Sequence, residues 1–358
     1  YERHPHQEVG RLEVLVLLGG ALRIDAQYAR AETVLKGAVD RLAEIKGTGS
    51  LDVAHAWNGL GVLYSDQGRY ADAETVYRDV FGILESLRGS KHVELVFVLN
   101  NLGDVALRQG NFGEARRHLE RALAILDASK DATRPREPVL YNLGRAWAGL
   151  GDRQRAARFL GETLTLREKR LGPNHPDVAN TLNTLAGVFL NLGDVQQARV
   201  YYERSLAIFV ETRGPTHPSV ALPLTNLADL HLSSGEFAQA LKLCERADAI
   251  DQASLPAEHV DRAYDFTCLG EAHLGLGHLA RALTLLQKAE SLRRKNPAGA
   301  LERAQTDFAL ARAHRQAGSH AKVISYARRA AAYYRDPRTS KREREHFAGW
   351  VDAHCAKC

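Results

Sequence analysis

An internal repeat of 41 or 42 residues runs through almost the whole of this 358-residue chain. A leucine followed by glycine or alanine marks each copy, at Leu18, Leu60, Leu102, Leu143, Leu185, Leu227, Leu269 and Leu310. A fixed period of this length is typical of arrays in which every copy is one supersecondary element stacked on the next. The length alone would suggest two or three globular domains. The repeat instead predicts one continuous array of eight units.

Every repeat contains two helical patterns separated by a residue that ends a helix. In the second repeat the apolar residues at helical spacing are Trp57, Leu60, Gly61 and Tyr64, followed by Tyr70, Ala73, Tyr77 and Val80. Seven residues after the small residue of each pair stands a glycine, except that the first repeat has Ala26. Such a glycine predicts the end of a helix. The alanine five residues further on, replaced only by Val323 in the last repeat, would let two helices approach closely. No alternating strand pattern lies outside these stripes, so the sequence predicts helix-turn-helix repeats.

The run from Trp57 to Tyr77 resembles the signature of the tetratricopeptide repeat family. The period near 42 is similar to the long repeats of kinesin light chains, and the loops LGPNHPDVA at 171–179 and RGPTHPSVA at 213–221 strengthen that resemblance. The resemblance implies an all-α, right-handed superhelical solenoid. It also implies a protein-interaction module, often the sensing or scaffolding region of a larger bacterial signalling protein. The chain begins at Tyr1 and contains no methionine, and we expect it to be a piece of such a protein.

The expected organisation is a single solenoid of eight repeats over residues 1–334. The repeats are expected near 12–53, 54–95, 96–136, 137–178, 179–220, 221–262, 263–303 and 304–334. Residues 335–358 are expected to form a basic linker and a capping helix, because Phe347, Trp350 and Val351 lie at helical spacing there.

The first helix of each repeat is expected to turn its non-packing face toward the concave surface. If the recurring leucine is numbered seat 7 of its repeat, that face holds seats 2, 5, 6, 9, 12 and 13. Asparagine recurs at seats 5 and 6 of the second to sixth repeats, as Asn58, Asn100, Asn101, Asn142, Asn183 and Asn226. A side-chain amide both donates and accepts hydrogen bonds, so these residues could hold the backbone of an extended peptide. Alternatively, they hydrogen-bond between neighbouring repeats or were inherited with the duplicated unit.

Charged and aromatic residues at the neighbouring seats would provide selectivity. They are Asp104, Arg145, Asp229 and Glu271 at seat 9, Arg108 at seat 13, Tyr141 at seat 5 and Tyr264 at seat 2. The mixed signs predict a protein or peptide partner that carries both kinds of charge. The Lys and Arg pattern of a chaperone-type carboxylate clamp is not matched, because seat 5 holds asparagine. Arg145 could stack on Tyr141 or pair with an acidic group, or it could simply be solvated.

Nothing in the sequence indicates catalysis or a cofactor. Walker, dinucleotide-binding, HExxH and nucleophile-elbow motifs are all missing. Among the 15 histidines, His175 and His217 precede proline in loops, and His231, His273 and His314 occupy a packing seat, so structural roles are favoured. We therefore expect a protein that is not an enzyme and needs no cofactor.

The C-terminus carries a weak candidate for a metal or thiol switch, formed by His346, His354, Cys355 and Cys358. The favoured alternative is a frayed end with two exposed thiols. The other cysteines, Cys244 and Cys268, fall inside helical patterns, and four cysteines are too few for a disulfide framework. A reducing, cytoplasmic location is the expectation that follows.

The excess of basic over acidic residues is confined to the C-terminal end of the chain. The net charge is +5, with an isoelectric point near 9.0. Residues 293–358 hold 15 Lys and Arg against 6 Asp and Glu, which leaves 33 against 37 for residues 1–292. Nucleic acid is therefore an unlikely ligand of the groove, and a nucleic-acid-binding array through the C-terminal region is only an alternative.

No apolar run suggests membrane insertion. The sequence leaves the oligomeric state open.

Overall fold

The computed structural model describes residues 5–129, 134–295, 300–336, 339 and 341–355. These residues form 17 α-helices and one 3₁₀ turn, Pro218–Val220, with no strand in the part described. The helices are α1 Pro5–Ile24, α2 Tyr28–Lys46, α3 Leu51–Asp66, α4 Tyr70–Arg88, α5 Leu95–Arg108, α6 Phe112–Ser129, α7 Glu137–Gly149, α8 Arg153–Leu171, α9 Pro176–Leu192, α10 Val195–Arg213, α11 Ala221–Ser233, α12 Phe237–Ser254, α13 Arg262–Gly275, α14 Leu279–Lys295, α15 Ala300–Gln316, α16 His320–Tyr334 and α17 Lys341–His354. The predicted all-α class is confirmed. The chain divides into an N-terminal unit, 1–150, and a C-terminal unit, 151–358, which we describe separately.

The turn inside each repeat has the left-handed backbone that the recurring glycine predicts. Gly68 has φ 73° and Gly193 has φ 92°, and the glycines of the other turns lie in the same region. Ala26 occupies this position in the first repeat, with φ 56°, and is the only non-glycine residue with positive φ in the described chain. The turn geometry is therefore imposed by the packing of the two helices, even where the residue disfavours it.

The two helices of a repeat meet through small residues, as predicted. A methyl group added to Gly61 in α3 would lie 2.5 Å from Cε1 of Tyr77 in α4. Ala73 and Ala115, which follow the turns, are completely buried. This packing fixes how the first helix is rotated about its axis. It therefore decides which seats remain on the opposite face.

Loop histidines begin several first helices. Nδ1 of His175 accepts a hydrogen bond from the backbone N–H of Asp177 at 3.1 Å, and Nδ1 of His217 accepts one from Ser219 at 3.1 Å. These side chains satisfy amides that the helix itself leaves unpaired. The predicted turn role of His175 and His217 is confirmed.

A recurring arginine contact joins consecutive repeats of the C-terminal unit. Arg167 in α8 donates to the carbonyl oxygen of Asp177 at 3.0 Å and to Oγ1 of Thr181 at 2.9 Å. Arg293, 126 positions and three repeats later, donates in the same way to the carbonyl oxygen of Glu302 and to Oγ1 of Thr306. Each arginine runs from the second helix of one repeat to the first helix of the next.

A disulfide between Cys244 in α12 and Cys268 in α13 also joins two repeats, with Cα atoms 5.7 Å apart. The interpretation that four cysteines are too few for disulfides was wrong for this buried pair. The helical pattern does not show the contact, because it forms only when one repeat packs on the next. Since disulfides persist in oxidising surroundings, the reducing, cytoplasmic location stays a prediction without support from these cysteines.

Helix α17 covers the last repeat. Phe347, which is buried, and Trp350 pack against Phe308 of α15, with ring centroids 5.3 Å apart in both contacts. Tyr334 of α16 stacks on Phe347 at 4.8 Å. The apolar side of the eighth repeat is therefore shielded from water by this helix.

Candidate functional site

The candidate site is the first-helix face, which we define as the non-packing seats of the first helices. In the N-terminal unit it comprises Asn58, Asn100, Asn101, Asp104, Arg108, Tyr141, Asn142 and Arg145. In the C-terminal unit it comprises Asn183, Asn226, Asp229, Tyr264 and Glu271. Their helices are α3, α5 and α7 in the first unit and α9, α11 and α13 in the second.

The asparagines of the N-terminal unit pair across neighbouring repeats. Nδ2 of Asn101 in α5 donates to Oδ1 of Asn58 in α3 at 3.0 Å. Nδ2 of Asn142 in α7 donates to Oδ1 of Asn100 in α5 at 3.1 Å. In both pairs the donor stands at seat 6 and the acceptor at seat 5 of the preceding repeat.

The same pair forms in the C-terminal unit, where Nδ2 of Asn226 in α11 donates to Oδ1 of Asn183 in α9 at 3.0 Å. Contact between neighbouring repeats, the alternative explanation for the recurring asparagine, is therefore present in the structure. It uses only part of the hydrogen-bonding capacity of each amide. Among the described residues, the NH₂ groups of Asn58, Asn100 and Asn183 have no hydrogen-bond acceptor.

An ion-pair network adjoins the second asparagine pair. Asp104 accepts hydrogen bonds from Nε of Arg108 at 2.8 Å and from Arg145 at 2.9 Å. Arg145 also donates to Oδ1 of Asn142 at 3.1 Å, and its guanidinium carbon lies 5.8 Å from the ring centroid of Tyr141. Burial alone would raise the pKa of Asp104, but the two arginines outweigh it and lower that pKa. Arg145 is therefore held by its neighbours and is not freely solvated.

The arginine pair gives this network a net positive charge. One carboxylate, Asp104, faces two guanidinium groups. Arg108 remains largely exposed, while Asn142 at the other end is buried. A group with negative charge that approached this part of the face would meet Arg108 first.

The C-terminal unit carries a carboxylate without an ion-pair partner on the described part of its first-helix face. Asp229 in α11 is exposed and has no hydrogen bond or ion pair with any residue that the structure describes. The surrounding protein reduces its solvation and the nearby carboxylate of Glu271 adds repulsion, so the pKa of Asp229 is raised against the opposing effect of Arg293. A cation at this place would relieve both effects.

The other two members of the face in this unit already have partners. Glu271 in α13 accepts a hydrogen bond from Arg312 of α15 at 2.8 Å. The hydroxyl of Tyr264 donates to Glu302 at 3.0 Å, and the guanidinium carbon of Arg293 lies 5.1 Å from the Tyr264 ring centroid. Tyr264 still exposes 38% of its surface, so its ring is available to a ligand.

The histidines of the packing seat have structural surroundings. His273 and His314 are buried, and His314 stacks on Tyr326 with centroids 5.5 Å apart. Burial lowers the pKa of both histidines, which favours the neutral ring. His231 lies at the same seat and contacts Glu236. The predicted packing role is confirmed for His273 and His314.

The residues of the C-terminal metal candidate that the structure describes make other contacts. His346 packs edge-on against Phe308, and His354 stacks on Trp350. The expectation of two exposed thiols was wrong for Cys355, which is buried and disulfide-bonded. Cys358 lies outside the described residues. Within the described ranges, no group of three or more metal-binding side chains comes together.

Sequence reasoning missed an open pocket of about 450 Å³ among α12, α13 and α14. Arg262 lines it and donates to Asp248 at 2.7 Å, with Asp265 buried beside it. Burial and the nearby carboxylates of Asp251 and Asp248 raise the pKa of Asp265 to about 8, against the opposing effect of Arg262. The signal available in the sequence was Asp265 at seat 3, where every other repeat carries an uncharged residue, such as Ala56 or Val98.

Comparisons with known proteins agree on the fold. A family model described as tetratricopeptide repeat matches residues 10–86, 52–128, 136–208 and 177–253, and another with that description matches 267–288. Together these matches cover well over half of the chain. A comparison with curated proteins finds no match.

Among solved structures, a Rap protein complexed with competence and sporulation factor is 15% identical, with a TM-score of 0.59 over 95% of this chain and 99% of that chain. BtubC (BKLC) from P. vanneervenii is 22% identical, with a TM-score of 0.52 over 65% and 92% of the two chains. A putative kinesin light chain from Podosopora anserina is 22% identical, with a TM-score of 0.49 over 60% and 99%. At these identities the likeness to the Rap protein and to BtubC shows the fold alone. No helix in the described ranges is long and apolar enough to cross a membrane.

Proposed function

This chain belongs to the tetratricopeptide repeat family, and we propose that it binds an extended peptide segment of a partner protein along its first-helix face. Repeats of this family are typical of protein–protein interaction and generally act as scaffolds without catalysis. The finer proposal is that this array is the sensing or scaffolding region of a larger bacterial signalling protein. The Rap protein of similar fold was solved with a bound factor, which is compatible with that role.

The proposal rests on the asparagine pairs, in which only some of the hydrogen-bonding groups of each side-chain amide have a partner. In each pair the seat-6 amide donates to the seat-5 oxygen, which orients both side chains. The pairs then present the NH₂ groups of Asn58, Asn100 and Asn183 as unused donors. The carboxamide oxygens of Asn101 and Asn226 have no donor among the described residues, so they supply acceptors next to those donors. A peptide backbone, which carries one acceptor and one donor per residue, matches this arrangement without regard to its sequence.

Charge adds the expected selectivity. The N-terminal unit presents the exposed Arg108 beside a network of net positive charge. The C-terminal unit presents the exposed Asp229, which forms no ion pair or hydrogen bond with a described residue. Acidic residues of a peptide would compensate the charge of the N-terminal unit, and basic residues would compensate that of the C-terminal unit. The exposed ring of Tyr264 would contribute apolar contact.

The test is to select peptides for the full chain from a random displayed library and to measure their dissociation constants by fluorescence anisotropy. Asp229→Asn keeps the shape of the side chain and removes its charge. We expect it to weaken the selected peptides about fivefold or more, which corresponds to about 1 kcal/mol. The matched control is Asp79→Asn on the second helix α4, because Asp79 is also exposed and unpaired among the described residues. Equal effects of the two variants, or no effect of Asp229→Asn, would contradict the proposal.

A further inference from the structure

Helix α1 presents an apolar surface on the side that does not pack against α2. Its inner side is buried through Val9, Leu12 and Leu22. On the other side, Leu17 exposes 73% and Ile24 exposes 75% of their surface. Val14, Leu15 and Leu18 are also exposed. Contiguous apolar surface of this kind marks an interaction site more often than scattered single residues do.

This surface is wider than the junction between two repeats. Val14 stands at seat 3 and Leu18 at seat 7, and both seats are buried in the later repeats. Ile24, however, stands at seat 13, which in every later repeat holds a polar residue or glycine. Those residues are Asp66, Arg108, Gly149, Asn191, Ser233, Gly275 and Gln316. A repeat stacked on α1 in the usual way would therefore leave Ile24 in water.

The exposed residues follow the spacing of a helix-pairing seam. Val14, Leu17, Ala21 and Ile24 are separated by three, four and three residues. Apolar residues at alternating steps of three and four place a straight stripe along a helix, and such a stripe packs against a second helix lying alongside. The surface therefore fits a helix.

Two unpaired charges flank this seam symmetrically. Arg11 precedes Leu18 by seven residues, and Asp25 follows it by seven. Seven residues are about two helical turns, and Asp25 directly follows α1 with its backbone N–H still bonded to the carbonyl oxygen of Ala21 at 3.0 Å, so the three side chains lie nearly in line along the helix. Arg11 and Asp25 are both exposed, and neither makes a hydrogen bond or ion pair with a residue that the structure describes.

A twofold axis at Leu18 would satisfy both charges at once. If a second α1 lay antiparallel across the axis, Arg11 of one copy would face Asp25 of the other, and the reverse pair would form at the opposite end. The apolar stripe would meet an identical stripe between these pairs. A surface that complements itself about one point is what a twofold interface requires. We propose that α1 is a homodimerisation helix, which pairs antiparallel with α1 of a second copy of this chain.

Sedimentation equilibrium of the full chain, with Leu17→Glu as the variant, tests this interface. We expect a dissociation constant of about 1 µM for the dimer. The unaltered chain should then be mostly dimeric at about 100 µM. Leu17→Glu should raise the dissociation constant at least tenfold. The control is Leu87→Glu in α4, where the leucine is 51% exposed outside the seam. A monomeric chain at that concentration, or a dimer that Leu17→Glu leaves unchanged, would overturn the proposal and assign the surface to another polypeptide.

A charge exchange tests the antiparallel arrangement. Arg11→Asp alone and Asp25→Arg alone should each weaken the dimer, because like charges then face each other across the axis. The double variant carries both changes and restores opposite charges at both ends, so its dissociation constant should return to within a few-fold of the original. Each single change lies on an exposed side chain, and circular dichroism checks that helicity is kept. A double variant weaker than either single one would overturn the antiparallel pairing.

Discussion

Replacing Asn142 with alanine separates the structural role of the asparagine ladder from its proposed binding role. Asn142 is buried, donates to Asn100 at 3.1 Å and accepts from Arg145 at 3.1 Å. The first bond joins neutral groups and is worth about 0.5–1.5 kcal/mol, while the second has a charged donor and is worth about 1.5–3 kcal/mol. Arg145 keeps its hydrogen bond to Asp104, so the charge of the Arg145 guanidinium still has a partner of opposite sign. We therefore expect Asn142→Ala to lower the free energy of unfolding by about 2–4.5 kcal/mol.

The matched comparison is Asn58→Ala, in the same compact unit. Asn58 is only half-buried and accepts one neutral hydrogen bond, from Asn101, and water can replace that bond. Its loss should cost about 1 kcal/mol or less. The assay is urea denaturation followed by circular dichroism. Hydrogen exchange in α5 and α7 would show where protection is lost, because a repeat array can open locally. If Asn142→Ala were no more destabilising than Asn58→Ala, the network around Arg145 would not stabilise the fold as described.

Three further predictions concern the fold. Ala26→Gly should stabilise the chain by about 0.5–1 kcal/mol, because it removes an alanine with left-handed backbone. Gly68→Ala should destabilise the chain for the same reason. Thermal melts of both variants check the sign. Ala115→Leu should cost about 1–3 kcal/mol or more by overpacking a fully buried helix contact, while Ala71→Leu at an exposed position should be nearly neutral in the same melts. The pKa of Asp265 is raised to about 8 in the folded chain, so the folded state holds its proton where the unfolded state has lost it. This group should therefore make stability fall as pH rises from about 4 to 8, and Asp265→Asn should reduce that slope in denaturation midpoints measured across this range.

The repeat fold follows from the sequence because its signals are local. The pair of leucine and a small residue, the glycine seven positions later and the alanine after it recur with a constant period, and each has one structural consequence. The left-handed Ala26 shows how strong the pattern is, since the turn forms there without glycine. Gly61 against Tyr77 shows why the small residue recurs.

Contacts between repeats could be predicted less well. The seats of the asparagines follow from helical periodicity, but which amide meets which depends on how far one repeat is rotated and shifted on the next. For the same reason the bond from Cys268 to Cys244 joins seats that no helical pattern relates. The burial of Asp265 is likewise set by the packing of α13 on α12. Such pairings need three-dimensional packing, whereas the presence of the residues on a given face does not.

The central claim is that the unused NH₂ groups on the first-helix face hold a peptide backbone. The most direct measurement is the affinity of a selected peptide for the double variant Asn58→Ala with Asn100→Ala, both in the N-terminal unit, compared with Asn111→Ala in an exposed turn. Each lost donor should cost about 1 kcal/mol, so the double variant should bind about thirtyfold more weakly, whereas Asn111→Ala should bind like the unaltered chain. Unchanged affinity of the double variant, with its helicity intact, would contradict the account and place the binding site elsewhere.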